Sequence, residues 1–287
     1  MRDFTEHTLT DAVVQRLSTT LNPRLRQLME RLIRHLHDFV REAELTEAEW
    51  FEAIRFLTET GKMCDDVRQE FILLSDTLGI SMLVDAITHQ QPAGATDTTV
   101  LGPFYRDGAP DRELGETIAP DIPGEPTFVA GRVTDAAGRP IPGARLDVWQ
   151  AAPNGLYEGQ DPEMPAFNMR GRFRADAQGR YHFRTLKPAS YPIPIDGPVG
   201  RLMRALGRQP YRPAHLHFIV AGPGSETLTT HIFVKGDACL DADPVFAVKS
   251  SLIADFVRHD SAAEAIARKT SAPFYTVEYD FGLKPSA

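Results

Sequence analysis

Near Pro92 the hydrophobic period of this 287-residue chain changes, and no single type of element satisfies both halves. Before that point apolar residues recur at three- and four-residue steps. In NPRLRQLMERLIRHLHDFVREAE, Leu25, Leu28, Met29, Leu32, Ile33, Leu36, Phe39 and Val40 form one apolar stripe of an amphipathic helix. A second helix opens at Thr46, which has capping-box spacing to Glu49, and stops near Gly61. A third is predicted through DDVRQEFILLSDTLGISMLVDAITHQ, ending before Pro92. Beyond Pro92, short runs alternate apolar and polar residues between turn signals: TFVAGRVTD, ARLDVWQ, GRYHFRTL, AHLHFIVAG, TLTTHIFVKG and YTVEYDFGL. Two short helices, VGRLMRALG and VFAVKSSLIADFVRH, are expected to interrupt them. The fold class is therefore α+β, mainly β. Residues 1–95 form a helical N-terminal segment and residues 96–287 a β-sandwich, with the boundary near 92–100.

The change of period also separates two copies of the tripeptide His-Leu-His. His35 and His37 sit in the helical stripe, where residues two apart project about 200° from each other. They cannot both grip one ion. His215 and His217 sit on an alternating run, so both leave one face of a strand while Leu216 and Phe218 pack behind. Only the second copy suits chelation, and it needs further ligands. Asp237 and Cys239 lie on another strand or its loop. Tyr157 in APNGLYEG and Tyr191 in KPASYPIPIDGPVG stand in Pro/Gly-rich loops, where functional side chains are commonly presented.

Composition narrows the partners. A net charge of -8 argues against a nucleic-acid surface, and no run approaches the roughly 18 apolar residues of a membrane span. Cys64 and Cys239 are far apart and form no zinc spacing. A cytoplasmic protein with reduced thiols is expected.

The strings TTVLGPFY, GLYEGQ and SYPIPIDGPVGRLMRALGRQPYRPAHLHFIV resemble the intradiol ring-cleaving dioxygenases, non-haem ferric enzymes that open catechols. The likeness runs over almost the whole chain and includes the helical N-terminal segment. It implies Tyr157, Tyr191, His215 and His217 as ligands of one Fe(III) per subunit, with Tyr191 the axial ligand that the diol displaces. Phenolates are hard, anionic donors that suit ferric iron, and the metal must strip their protons, since tyrosine's reference pKa is about 10. Arg212 resembles the family's arginine over the ring. The likeness further implies a pocket lined by Met82, Leu83, Asp85, Val100, Leu101, Gly102, Pro103, Ile193, Pro194, Arg212 and Val245. HIFVKGDACLDADPVFAVKSSLIADF and FYTVEYDFGL look more like the hydroxyquinol branch than the catechol one, with His231 where catechol enzymes tend to have glutamine. In that reading Asp85, on the third predicted helix, accepts the extra ring hydroxyl. A twofold homodimer through the helical segment is implied as well, and the likeness admits a lipid held between such helices. Arg201, Arg204 and Arg208 are placed on a solvated helix.

Three other readings are weighed. VAGRVTDAAGRPIPGARLDVWQ suits many non-catalytic binding sandwiches, but these need no metal-ligand set. A zinc hydrolase on His215 and His217 lacks a carboxylate or cysteine third ligand at recognisable spacing. The two-histidine, one-carboxylate pattern of ferrous extradiol enzymes is absent. Catechol and chlorocatechols remain alternative substrates to hydroxyquinol.

Overall fold

The computed structural model describes residues 3–65 and 68–286. Contacts divide the chain into two compact units, Met1–Glu59 and Thr60–Ala287. The first holds α1 (Leu9–Gln15), α2 (Pro23–Glu42) and most of α3 (Glu47–Lys62). The Asn22 side chain accepts a hydrogen bond from Leu25 N at 3.0 Å and Pro23 takes the first helical position, which together fix where α2 begins. The capping box forms as expected. Thr46 N donates to Glu49 Oε2 at 3.0 Å and Glu49 N donates to Thr46 Oγ1 at 3.3 Å. The helix ends at Lys62, one residue past Gly61.

In the second unit the third predicted helix is two helices, α4 (Glu70–Thr77) and α5 (Ile80–Thr88), bent by 76°. Asp66 and Val67, the second and third residues of that prediction, lie outside the described residues. The break has a local cause: Gly79 sits at φ 74°, a left-handed conformation that closes α4 and opens α5.

The remaining elements are β1 (Pro126–Asp135), β2 (Arg145–Trp149), β3 (Arg170–Arg174), β4 (Arg180–Leu186), β5 (Tyr191–Pro192), α6 (Pro198–Ala205), β6 (Tyr211–Arg212), β7 (His215–Ala221), β8 (Leu228–Val234), β9 (Ile253–Ala254), β10 (Val257–His259), α7 (Ala262–Ala267), β11 (Phe274–Glu278) and β12 (Phe281–Leu283). Among the described residues they form two five-stranded sheets and one two-stranded ribbon. One sheet runs β10-β11-β1-β12 with β4 also on β1, the other runs β3-β2-β7-β8-β9, and β5 pairs β6.

Strand parity builds the core. Val129, Val133, Tyr181, Phe183, Val277 and Phe281 of the first sheet meet Leu146, Val148, Phe173, Leu216, Phe218, Val220 and Ile232 of the second. The helix expected over 245–259 does not form. Leu252, Ala254 and Phe256 are buried at every second position, β9 pairs with β8 and β10 pairs with β11. The apolar period there is two, and ladder pairing at the sheet edges takes the backbone. The β3 strand, RGRFR, was not anticipated because its charges hide its pattern. No single described helix is long and apolar enough to cross a membrane.

Candidate functional site

The second sheet has two buried faces, which is why His215 and His217 do not reach water. Leu216, Phe218 and Val220 point into the sandwich, so His215, His217 and Ile219 leave the opposite face. Register then assembles neighbours on that face. His217 lies opposite Trp149 of β2 and His231 of β8, and His215 lies opposite Phe233. The Trp149 ring stacks on His217 at 4.6 Å and 14°, and the His231 ring stands 4.2 Å from His217. His215, His217 and His231 are all buried, and each offers a nitrogen within 4.8 Å of the others. The first His-Leu-His copy stays on α2, where His37 Nδ1 lies 3.0 Å from Thr10 Oγ1.

Two loops bring phenols to the same place. Tyr157, between β2 and β3, is held by a turn in which its N–H donates to Gln160 Oε1 at 3.0 Å and its ring stacks on Phe104 at 4.4 Å. Tyr191 opens β5, and pairing with β6 sets it opposite Arg212. Tyr157 Oη lies 2.9 Å from both Tyr191 Oη and His217 Nε2, Tyr191 Oη lies 3.4 Å from His215 Nε2, and the two Nε2 atoms are 3.1 Å apart. The four sequence-predicted ligands therefore close a ring of donor atoms. An ion with bonds of about 2.0–2.1 Å spaces its neighbouring ligand atoms roughly 2.9–3.5 Å apart, so this ring fits a single ion. The near approach leaves no room for bulk: Gly102 sits at φ 79°, and a Cβ there would come 3.3 Å from His217 Cε1.

Electrostatics prepare neutral nitrogens and an un-ionised phenol. Burial lowers His215, His217 and His231 well below the usual histidine range, with neighbouring cationic groups adding to the effect. A carbonyl only accepts, so His215 Nδ1 donates to Pro213 O at 2.7 Å and Nε2 keeps its lone pair. Burial, then the charge and hydrogen bond of Tyr191, raise Tyr157 well above the ordinary phenol value, against the pull of Arg212 and Arg170. A buried phenol of this kind ionises only for a cation bound to it. The cluster has the donor set of a metal site.

Arg212 stands beside it, 4% exposed, with Nη1 3.3 Å from His215 Nε2 and 3.5 Å from Tyr191 Oη. Burial works against its charge, but Asp243 and the tyrosine oxygens more than offset that and raise its pKa. Asp243 fixes it by accepting from Arg212 Nε at 3.2 Å and from Ala247 N at 3.0 Å. Arg208 is not on the solvated helix. It follows α6, donates to the Thr77 and Pro244 carbonyls and stacks over Phe246, tying the end of α4 to the segment that carries Val245.

A narrow cavity of about 20 Å³ opens at Tyr191 and Arg212, walled by Leu73, Asp76, Val100, Gly102, Pro103, Phe104, Ile193, Pro194 and Val245. Seven of the expected pocket residues line it: Val100, Gly102, Pro103, Ile193, Pro194, Arg212 and Val245. Met82, Leu83, Asp85 and Leu101 do not, and Leu83 is 61% exposed. Asp85 is taken up elsewhere, accepting from Thr98 Oγ1 at 2.9 Å, with His89 Nδ1 at 3.0 Å and Lys249 Nζ at 3.4 Å. The aspartate in the cavity wall is Asp76 on α4, 4% exposed, its pKa raised by burial although Ser81 and Arg212 pull the other way. The sequence signal for Leu73 and Asp76 was present, two turns earlier in the same helical string, but spacing alone does not say which turn meets the cavity. A larger cavity of about 760 Å³, walled by Pro110, Asp121, Pro165 and Phe167 among others, holds none of these donors.

Residues 100–285 match the family described as "Dioxygenase" and residues 22–96 match "Catechol dioxygenase N terminus". The chain belongs to the intradiol ring-cleavage dioxygenases. Within that family it is 49% identical to 6-chlorohydroxyquinol 1,2-dioxygenase of Cupriavidus pinatubonensis, over 100% of both chains. The crystal structure of hydroxyquinol 1,2-dioxygenase from Pseudomonas putida superposes with a TM-score of 0.92 at 51% identity, covering 98% of this chain and 99% of that one. Catechol 1,2-dioxygenase from Pseudomonas arvilla superposes with a TM-score of 0.85 at 31% identity, covering 99% of this chain and 94% of that one.

Proposed function

We propose that this intradiol dioxygenase opens the ring of hydroxyquinol, benzene-1,2,4-triol, between its vicinal hydroxyls. Both atoms of O2 enter the product, 3-hydroxy-cis,cis-muconate or its keto form maleylacetate. The observation that carries the reading is the closed ring of two phenol oxygens and two imidazole nitrogens at the mouth of a cavity that also contains a buried aspartate. Relatives named for hydroxyquinols share about half of the sequence, against 31% for the catechol enzyme, which supports the triol over catechol or a chlorocatechol.

In this reading Tyr157, Tyr191, His215 and His217 hold one ferric ion, whose preference for hard oxygen and imidazole donors they match. When bound, ferric iron supplies the Lewis acidity that ionises the phenols and draws electron density from the diol ring toward attack by O2. The cavity at Tyr191 is too small for an aromatic ring until a wall group moves, and in this reading that movement is given to Tyr191, which belongs both to the wall and to the donor ring. The diol would occupy the space Tyr191 leaves, and Tyr191 Oη would accept a diol proton. Tyr157, locked by Phe104 and its turn with Gln160, stays where it is. Arg212, pinned by Asp243, sets a fixed cation beside the substrate oxygens. Val100, Gly102, Pro103, Ile193, Pro194 and Val245 exclude water, and Asp76 accepts the third hydroxyl. A hydrogen bond to a buried acceptor that would otherwise be unpaired contributes about 1–3 kcal/mol, so kcat/KM for hydroxyquinol should exceed that for catechol by about five- to 150-fold. Equal constants, or a preference for catechol, would assign the chain to the catechol branch.

The helical segment, residues 1–95, is assigned to a twofold homodimer in the cytoplasm. On α2, Leu25, Leu28, Leu32, Leu36, Phe39 and Val40 are each 44–56% exposed along one stripe, which makes a self-complementary isologous contact, with or without a lipid tail in it. Sedimentation should show a dimer at micromolar concentration, and a monomer there would rule the contact out.

A further inference from the structure

We propose that a second cavity, behind Tyr157, binds small carboxylate anions and that the ring-opened product is its natural occupant. It has a volume of about 290 Å³ and is lined by Phe104, Arg106, Tyr157, Gln160 and Arg170 among others. Among the described residues no acidic one lines it, and two arginines do. Arg170 is 2% exposed, and its Nη1 has no hydrogen-bond partner among the described residues. Its other nitrogens are committed: Nε donates to Glu158 Oε2 and Nη2 to Phe104 O, both at 2.7 Å. Glu158 is itself shared, because Arg106 Nη1 donates to its Oε1 at 2.8 Å. The Arg106–Glu158–Arg170 cluster therefore carries one positive charge more than it neutralises internally, with a buried donor left over. A buried guanidinium N–H with no acceptor is costly, and a carboxylate is the acceptor whose shape and charge match it.

The position gives the site a use, which rests on the ring-opening reaction proposed above. The two cavities share the Pro103–Phe104 wall, and Tyr191 lines one and Tyr157 the other, with their hydroxyl oxygens 2.9 Å apart. The substrate arrives as a neutral diol. Adding O2 across the C–C bond between the hydroxyls makes two carboxyl groups, which at neutral pH release two protons and leave a dianion. In the substrate cavity the charge of Arg212 is already matched by Asp243, and Asp76 adds no cation. Behind Tyr157 the dianion meets the Arg106–Glu158–Arg170 cluster, which keeps one positive charge in excess. A site of this kind retains product, so the dicarboxylate should inhibit noncompetitively with respect to the diol.

The test is calorimetric titration of the metal-loaded enzyme with cis,cis-muconate and, separately, succinate, each with and without saturating 4-nitrocatechol in the substrate cavity. Saturable binding that persists under 4-nitrocatechol, and weakens about tenfold or more in Arg106→Gln and Arg170→Gln, is the expected result. Muconate, which lacks only the 3-hydroxyl of the proposed product, binding tighter than succinate identifies the ring-opened product as the source, and equal binding identifies a general organic-acid site. Arg106 is exposed at the cavity rim, so Arg106→Gln carries the test if Arg170→Gln does not fold. No saturable binding, displacement by 4-nitrocatechol, or unchanged affinity in Arg106→Gln would overturn the proposal. Turnover of hydroxyquinol is measured on the same preparation. Turnover without muconate binding sinks this site alone, whereas binding without turnover sinks the reaction assigned above and leaves the site standing.

Discussion

Replacing Tyr157 with phenylalanine should bleach or shift the visible band of the iron-loaded protein and reduce turnover by more than about 100-fold. The wild-type protein should be red to burgundy, because ferric iron bound by phenolates absorbs in the visible. The loss follows from where Tyr157 sits. Its Oη touches both Tyr191 Oη and His217 Nε2 at 2.9 Å, so it is the vertex through which one phenol joins the imidazoles. Phenylalanine keeps the Phe104 stack and the buried volume, so folding should survive while one donor disappears. Truncating even an outer partner of a metal ligand costs about 10–100-fold, and a ligand should cost more. Visible spectra and iron content, measured beside steady-state rates, separate loss of metal from loss of chemistry. Unchanged colour with full turnover would remove Tyr157 from the site.

Asp76→Ala should cost hydroxyquinol roughly 1–3 kcal/mol of transition-state binding, about five- to 150-fold in kcat/KM. Catechol, with nothing to pair, should lose little. The effect is selective because Asp76 is a buried acceptor in the wall of the cavity that contains Tyr191 and Arg212. Asp85→Ala is the control. That carboxylate already has Thr98, His89 and Lys249 around it and does not line the cavity, so its removal should not discriminate between the two substrates. An equal loss on both substrates in Asp76→Ala, at matched iron content, would leave Asp76 a structural residue.

Much of the site was legible in one dimension because side-chain direction along an element is a local property. Period two puts His215 and His217 on one face of β7, and period 3.6 keeps His35 and His37 apart on α2. The capping box at Thr46 and the alternation of β1, β2, β4, β7 and β8 are equally local, and they form as expected. The break near residues 92–100 is likewise a change of local period. It differs from the contact boundary at 59/60, because α4 and α5 are helical in pattern yet belong to the compact unit that contains the sandwich.

What tertiary structure alone decided are the meetings between distant elements. The β5–β6 ribbon sets Arg212 opposite Tyr191, and β7–β8 register adds His231 to the histidine cluster. Gly79 splits one predicted helix in two, and between Asp76 and Asp85 of that string the cavity takes Asp76. Residues 245–259 could read as a helix until the edges of both sheets claimed Ile253–Ala254 and Val257–His259 as strands. Periodicity records which residues share a face, but not which faces meet. That choice is made by hydrogen-bond ladders and core packing that join residues up to a hundred or more positions apart.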